Sequence, residues 1–253
     1  MPSHYITTMS PAIICHNKSM KVPHPIPYQG SKRNLAAYIL RYIPTGIGRL
    51  FEPFAGSAAI SLSAASRHLS SNYHLNDLNS PLIGLWRMII EKPDQIADQY
   101  AALWHSQHID TRKFYDKIRN EFNRTGRPDY FLYLLARCVK ASVRYNSKED
   151  FNQGPDNRRT GTLPDTMRRQ IFGASYLLKG RTQFSSAGYK VVVQDAKPSD
   201  VVYLDPPYQG VCQKRDPRYL QSVEFDEFVQ VLESLNIVSN LRCITRGRLR
   251  KLA

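Results

Sequence analysis

Asp205-Pro206-Pro207-Tyr208 follows the apolar run Val201–Leu204. Two successive prolines fix φ and remove two backbone N–H groups, so the loop after such a strand is stiff. A stiff loop can point the Asp205 carboxylate and a backbone carbonyl at one small target. Two acceptors suit an exocyclic amino group, which carries two hydrogens, and Tyr208 offers a flat face on which a base can stack. The amine of adenine is a poor nucleophile because its lone pair is delocalised into the ring. Acceptor hydrogen bonds and in-line placement against an electrophilic methyl group lower the barrier by orientation and electrostatics. Taken alone, the same four residues also fit a rigid turn.

A second group lies upstream. Phe51-Glu52-Pro53-Phe54-Ala55-Gly56-Ser57-Ala58-Ala59 separates a strand-like from a helix-like segment. Gly and small residues there let a ligand approach the backbone, and the helix start adds oriented N–H groups. Asp77 ends the next strand-like run. In doubly wound folds an acidic residue about 20 positions on accepts hydrogen bonds from ribose hydroxyls. The pattern implies an adenosine-containing cofactor, though a close-packed strand–helix turn would look the same. NAD or FAD is one option, but the G-x-G-x-x-G spacing is absent. S-adenosylmethionine (SAM) fits better, having a ribose and no pyrophosphate.

These residues need elements to hold them. Leu35–Ile43 reads as an amphipathic helix, Arg49–Phe54 as a buried strand, Ala58–His68 as a helix of small residues, Tyr73–Leu78 as a strand and Leu82–Ile90 as a helix. Strand, tight turn, helix, strand is a βαβ unit and implies a parallel sheet. Pro93–Arg124 is polar and helical, and Tyr130–Val143 is a further helix. Arg144–Arg169 is turn-rich and holds Arg144, Lys148, Arg158, Arg159, Arg168 and Arg169, which makes it a candidate basic module. An ordinary solvated loop would share that composition. Tyr189–Val193 reads as a strand ending at Gln194-Asp195, Phe225–Leu235 as a helix, and Arg242–Thr245 as one more strand.

The chain has 253 residues, 42% of them hydrophobic, enough for one large α/β domain with an insertion. A formal net charge of +14 points to a polyanionic partner, of which nucleic acid is the commonest. Cys15, Cys138, Cys212 and Cys243 show no CxxC spacing, and His74, His105 and His108 form no ligand cluster, so no metal is expected. A reducing cytoplasm fits. No apolar run approaches the ~18 residues of a membrane span. Residues 1–22 read as a flexible extension rather than a signal peptide.

Four blocks in order resemble the DNA adenine methylase (Dam-like) family of SAM-dependent adenine-N6 DNA methyltransferases. They are Pro27-Tyr28-Gln29-Gly30-Ser31-Lys32-Arg33, Phe51–Ser57, Asn76-Asp77-Leu78-Asn79 and Asp205–Tyr208. Between the last two, Arg144-Tyr145-Asn146 with Phe151-Asn152 resembles the family's target-recognition segment. The resemblance spans about Pro27 to Leu235. It implies a Rossmann-like doubly wound α/β sheet with an inserted, mostly helical target-recognition domain. The expected division is 23–92 with 185–253 as the SAM-binding catalytic part and 93–184 as the insertion. The family's small-residue loop carries a second Gly where Ala58 stands. The family also continues past the helix after the catalytic loop, whereas this chain ends at Ala253 after Arg246–Lys251, so its C-terminal strands are expected to be truncated.

On this resemblance Tyr28, Lys32, Phe54, Gly56, Asp77 and Asp195 line the SAM site, with Gln194-Asp195 a strand end beside the cofactor's adenine. Asp205, Pro206, Pro207 and Tyr208 hold a flipped adenine. Arg137, Lys140, Arg144, Asn146, Asn152, Arg158 and Arg159 are candidates for DNA contact, the cations mainly at phosphates and an Asn at a base edge. The expected partner is double-stranded DNA in a bacterial, archaeal or phage setting, with a cognate restriction endonuclease a further candidate. A monomer suffices for one-strand modification. Ribosomal RNA and protein glutamine are alternative substrates for such a loop, and a poorly active SAM- or DNA-binding remnant is the non-enzymatic alternative.

Overall fold

The computed structural model describes residues 21–206, residues 227–231 and the backbone of 242–245. The N-terminal extension, Pro207, Tyr208 and the Arg246–Lys251 tail lie outside the described residues, as does most of Phe225–Leu235, of which 227–231 are helical.

Among the described residues five strands form one sheet: β1 (Ile47–Glu52), β2 (Ser70–Asn76), β3 (Thr182–Ser185), β4 (Val201–Leu204) and β5 (Arg242–Thr245), in the order β3-β2-β1-β4-β5. Every neighbouring pair is parallel. Parallel neighbours need crossovers, and the crossovers here lie on both faces. Along β1 and β4 successive side chains enter different cores. Leu50, Val201 and Tyr203 join the core beneath α2 (Ala59–Ala65) and α3 (Ser80–Glu91), with Leu62, Leu85 and Trp86. Phe51, Val202 and Leu204 join Tyr189, Val192, Val193 and Phe228 on the other side. Strands buried on both faces must be apolar throughout, which is why β4 reads Val-Val-Tyr-Leu.

The chain enters the fold through the short helix α1 (Ala36–Ile39), which tightens into a 3-10 turn at Leu40–Tyr42. Between β2 and β3 it adds α4 (Pro93–Ser106), α5 (Thr111–Thr125), α6 (Pro128–Arg137) and α7 (Pro164–Leu178). Pro sits in the first turn of α3, α4, α6 and α7, where its missing N–H has no intrahelical partner to lose. Asp110 caps α5 by accepting from Lys113 N–H at 3.0 Å, and Gly126 closes it with φ +65°. Helix α7 packs on α2, α3 and α4, so one continuous core runs from the sheet into these helices.

Three expectations change. Tyr189–Val193 is not a strand: it lies in helix α8 (Tyr189–Gln194), whose Tyr189, Val192 and Val193 face the sheet at helical spacing while Val191 is exposed. The strand in that region is β3, which begins at Thr182, so the sheet resumes inside the stretch 93–184 expected to be insertion. Helix α7 likewise occupies the end of the Arg144–Arg169 stretch read as loop.

Candidate active site

The sheet order reverses between β1 and β4, where Leu50 lies opposite Val201 and Phe51 opposite Val202. At such a switch point the loops leaving the carboxyl ends of the two strands diverge and open a crevice, the usual ligand site of doubly wound sheets. Pro53–Ala58 leaves β1 here and Asp205-Pro206 leaves β4.

The loop after β1 is held from every side. Gly56 has φ +48°, and a Cβ on it would stand 3.1 Å from the Tyr28 ring, so only glycine seats comfortably there. Its N–H donates to Asp77 Oδ2 at 3.0 Å, and its carbonyl accepts from Trp86 Nε1 at 2.9 Å. Ala55 N–H donates to the Asn76 carbonyl at 2.8 Å. Ala58 is fully buried with φ +47°. Ala58 stands near the place of the family's usual second glycine, and the left-handed backbone here costs a residue with a Cβ roughly 1 kcal/mol or more.

Two carboxylates anchor this loop. Asp77 also accepts from Asn79 N–H at 3.0 Å. Burial pushes its carboxyl up, and the N–H groups of Asn79 and Gly56 pull it back. Glu52, at the end of β1, is buried and accepts from Ser61 N–H at 3.0 Å and Ser61 Oγ at 2.6 Å. It substitutes for the side-chain cap that Ala58 cannot give α2. Burial pushes Glu52 up to about 7 against the bonds from Ser61, and the charge of Asp205 adds to the rise.

The segment around Tyr28 joins the two loops. Ser57 Oγ donates to Ser31 Oγ at 2.7 Å, and the Lys32 ammonium forms an ion pair with the Asp205 carboxylate while donating to the Gly30 carbonyl at 3.1 Å. Lys32 thus stands on the Asp205 side of the crevice. Phe54 is half-buried, with its ring 5.3 Å from Tyr189.

Asp195 does not join this group. It is exposed at the end of α8, and the turn that follows runs to Ser199 and Asp200, which bond Gly48 N–H and Arg49 N–H at the opposite end of β1. The expected placement beside a cofactor rested on a strand that is a helix running the other way. The end of β3 lies beside the end of β2. Asn76 Oδ1 accepts from Ser185 Oγ at 2.7 Å and Ala187 N–H at 2.9 Å, and its Nδ2 donates to the Pro53 and Ala187 carbonyls at 2.9 Å. Ser186 Oγ donates to the Asp77 carbonyl at 2.8 Å. Asn76, Glu52 and Trp86 were not singled out in the sequence; for Glu52 the available signal was an acid at the end of an apolar strand.

The expected DNA-contacting residues lie within residues 137–159, but not all face outward. Arg137 is only 2 % exposed and its guanidinium donates to the Asp156 carbonyl, so it braces the segment from inside and cannot meet a phosphate. Lys140 is exposed, with φ +58°, followed by Ala141 at +50°. Asn146 is exposed, yet its Oδ1 accepts from Lys148 and Asp150 N–H at 2.9 Å, which commits that carbonyl to a turn. Asn152 is exposed and Arg144 half-buried. Arg158 and Arg159 are exposed and share Asp156 at 3.1 and 3.7 Å. The segment folds back at the Tyr145–Phe151 bridge and is pinned to α5, where Asn123 exchanges hydrogen bonds of 3.1 and 2.9 Å with the Phe151 backbone. Gln29 N–H donates to the Ala141 carbonyl at 2.9 Å, tying it to the segment that carries Lys32.

Among the described residues no cluster of His, Cys, Asp and Glu could hold a metal, and no helix is long and apolar enough to cross a membrane.

Residues 28–245 match the family described as D12 class N6 adenine-specific DNA methyltransferase. The chain is similar to the DNA N-6-adenine-methyltransferase of Escherichia phage P1, at 30% identity over 72% of this chain and 23% of the relative. It is also similar to the type II methyltransferase M1.LlaDCHI of Lactococcus lactis subsp. cremoris, at 27% identity over 72% of this chain and 64% of that protein. A third relative, the DNA adenine methylase of Serratia marcescens, is 28% identical over 72% of this chain and 65% of its own length. The chain therefore spans less than two thirds of each of these relatives. It belongs to the D12 class family of N6 adenine-specific DNA methyltransferases.

Proposed function

We propose that this member of the family transfers a methyl group from SAM to the N6 amino group of adenine in a specific sequence of double-stranded DNA. The observation that carries this is the meeting, at the switch point, of the glycine loop held by Asp77 with Asp205 held by Lys32.

The residues fit the cofactor. Gly56 keeps the loop surface low beside Tyr28, and Asp77 offers a carboxylate whose two backbone bonds leave further lone pairs for ribose hydroxyls. The loop after β1 lacks the G-x-G-x-x-G spacing that cradles a diphosphate. When bound, SAM supplies an electrophilic methyl group. Tyr28, Gly56 and Asp77 would orient it, with Phe54 on the flank. Asp205 accepts a hydrogen bond from the adenine amino group and holds its lone pair in line. Lys32 gives Asp205 a counter-charge and keeps it aimed into the crevice. The N6 proton released after transfer meets the Asp205 carboxylate as its first acceptor. Pro206, Pro207 and Tyr208 would complete the pocket, and a base inside a duplex must be flipped out to reach it.

Recognition falls to the inserted region, taken as 93 to about 181 now that β3 begins at 182. Lys140, Arg144, Arg158 and Arg159 would meet phosphates and Asn152 a base edge. A cognate restriction endonuclease would be the partner if the enzyme protects its own DNA. The test is methyl transfer from labelled SAM to unmethylated duplex DNA, with nucleoside analysis. N6-methyladenine is expected; label in RNA or protein, or SAM binding with no product on any substrate, would overturn the proposal.

A further inference from the structure

The hairpin around residues 145–151 and the loop after β1 are joined by one unbroken line of hydrogen bonds. Tyr145 OH donates to Asn79 Oδ1 at 3.1 Å. Asn79 is buried, and its backbone N–H donates to Asp77 Oδ1 at 3.0 Å. The other Asp77 oxygen takes Gly56 N–H at 3.0 Å. Four residues from three separate stretches thus connect the basic segment to the loop that opens into the crevice. The hairpin end of the line is firmly set. Tyr145 pairs with Phe151 across the fold-back, their rings stand edge to face at 6.1 Å, and Asn123 of α5 holds the Phe151 backbone. The Tyr145 ring packs against the main core, so only its hydroxyl reaches the cofactor side. Burial pushes that hydroxyl up to about 12, and it stays a neutral donor at physiological pH.

We propose, resting on the methyl-transfer reading above, that Tyr145 is a positioning residue through which DNA on the recognition hairpin sets the orientation of Asp77 and hence the affinity of the cofactor site. A shift of the hairpin moves the Tyr145 hydroxyl. The buried Asn79 amide follows it, since its carbonyl would otherwise lose a donor in a place water does not reach. The Asn79 N–H in turn carries the Asp77 carboxylate that faces the ribose. Coupling of this kind is reciprocal, so the cofactor tightens DNA by the same factor as DNA tightens the cofactor.

The experiment is calorimetric titration of the full chain with S-adenosylhomocysteine, alone and with saturating unmethylated duplex DNA, in wild type, Tyr145→Phe and Asn79→Ala. DNA is expected to tighten binding at least about fivefold in the wild type and less than about twofold in Tyr145→Phe. Asn79→Ala should lose the coupling as well, and the double variant should lose no more than Asn79→Ala alone, as residues in series do. A purely structural role would change stability or intrinsic affinity and leave the ratio intact. An undiminished ratio in Tyr145→Phe, or a wild type whose binding DNA does not alter, overturns the proposal. A wild type that binds no S-adenosylhomocysteine even without DNA overturns the methyl-transfer reading, a failure visible in the first titration.

Discussion

Around the loop after β1, the acids are enclosed and tied to hydrogen-bond donors: Glu52 is held by Ser61, and Asp77 by Gly56 and Asn79. Across residues 138–159 charge is mostly positive and outward, on Lys140, Lys148, Arg158 and Arg159. There the fixing is shared between neutral groups, the Asn123 amide on Phe151 and the Asn146 amide within its own turn, and the buried Arg137 guanidinium. The first region spends its polar groups on one another and presents a single prepared shape. The second keeps its cations toward solvent. A small ligand of fixed geometry needs the former, and a polyanion met first through long-range attraction needs the latter.

The sharpest break in this contrast comes from Asp205→Ala, which should lower methyl transfer by at least about 10²-fold while cofactor binding persists. Single-turnover rates beside a SAM titration would show it, and retained transfer would remove Asp205 from the chemistry. Asp77→Ala strips the acceptor from Gly56 and Asn79 N–H as well as from the ribose, so cofactor affinity should fall roughly 10- to 100-fold with DNA affinity less affected. On the other side, Lys140→Ala or Arg159→Ala should weaken DNA binding several-fold. Each should make the plot of log affinity against log salt shallower by about one, and SAM affinity without DNA should stay the same. An unchanged slope would mean that the cation does not meet a phosphate. The smallest effect is on stability. Burial raises Glu52 from 4.5 to about 7 in the folded protein, so the folded state holds a proton that the unfolded state has lost. The stability this contributes is complete below pH 4.5 and is lost as pH rises through about 7. Glu52→Gln keeps an acceptor for Ser61 and should flatten that part of the melting-temperature profile; a profile as steep as the wild type's would assign the slope to other groups.

Much of the first region was legible in the sequence. β4 is apolar throughout because both of its faces are covered, and Gly56 and Asp77, 21 residues apart, meet in one hydrogen bond. The misreadings have physical causes. Val191-Val192-Val193 looks like a strand because β-branched residues favour one, but burial of Tyr189, Val192 and Val193 with Val191 exposed is a helical period, and packing on the sheet decides it. β3 is Thr-Gln-Phe-Ser, an edge strand with one apolar residue, and so gave no signal. The second region was legible in charge and not in geometry. Composition treats Arg137 and Arg158 alike, although one braces the segment from within and the other lies on its surface. The link from Tyr145 to Asn79 crosses 66 residues and has no local pattern to betray it.

The same strand order has a consequence for how the chain comes into being. β1 has β2 as one neighbour and β4 as the other, and the bond from Arg49 N–H to Asp200 beside the second pairing spans 151 residues. Until Val201 is synthesised, β1 carries a bare edge of unpaired amides and carbonyls, and the Phe51 face lacks its cover. Helices α4 to α7, with their local contacts, can settle during that wait. The crevice needs the ends of β1 and β4 side by side, so a chain stalled before β4 would carry the loop after β1 with no Asp205 to face it.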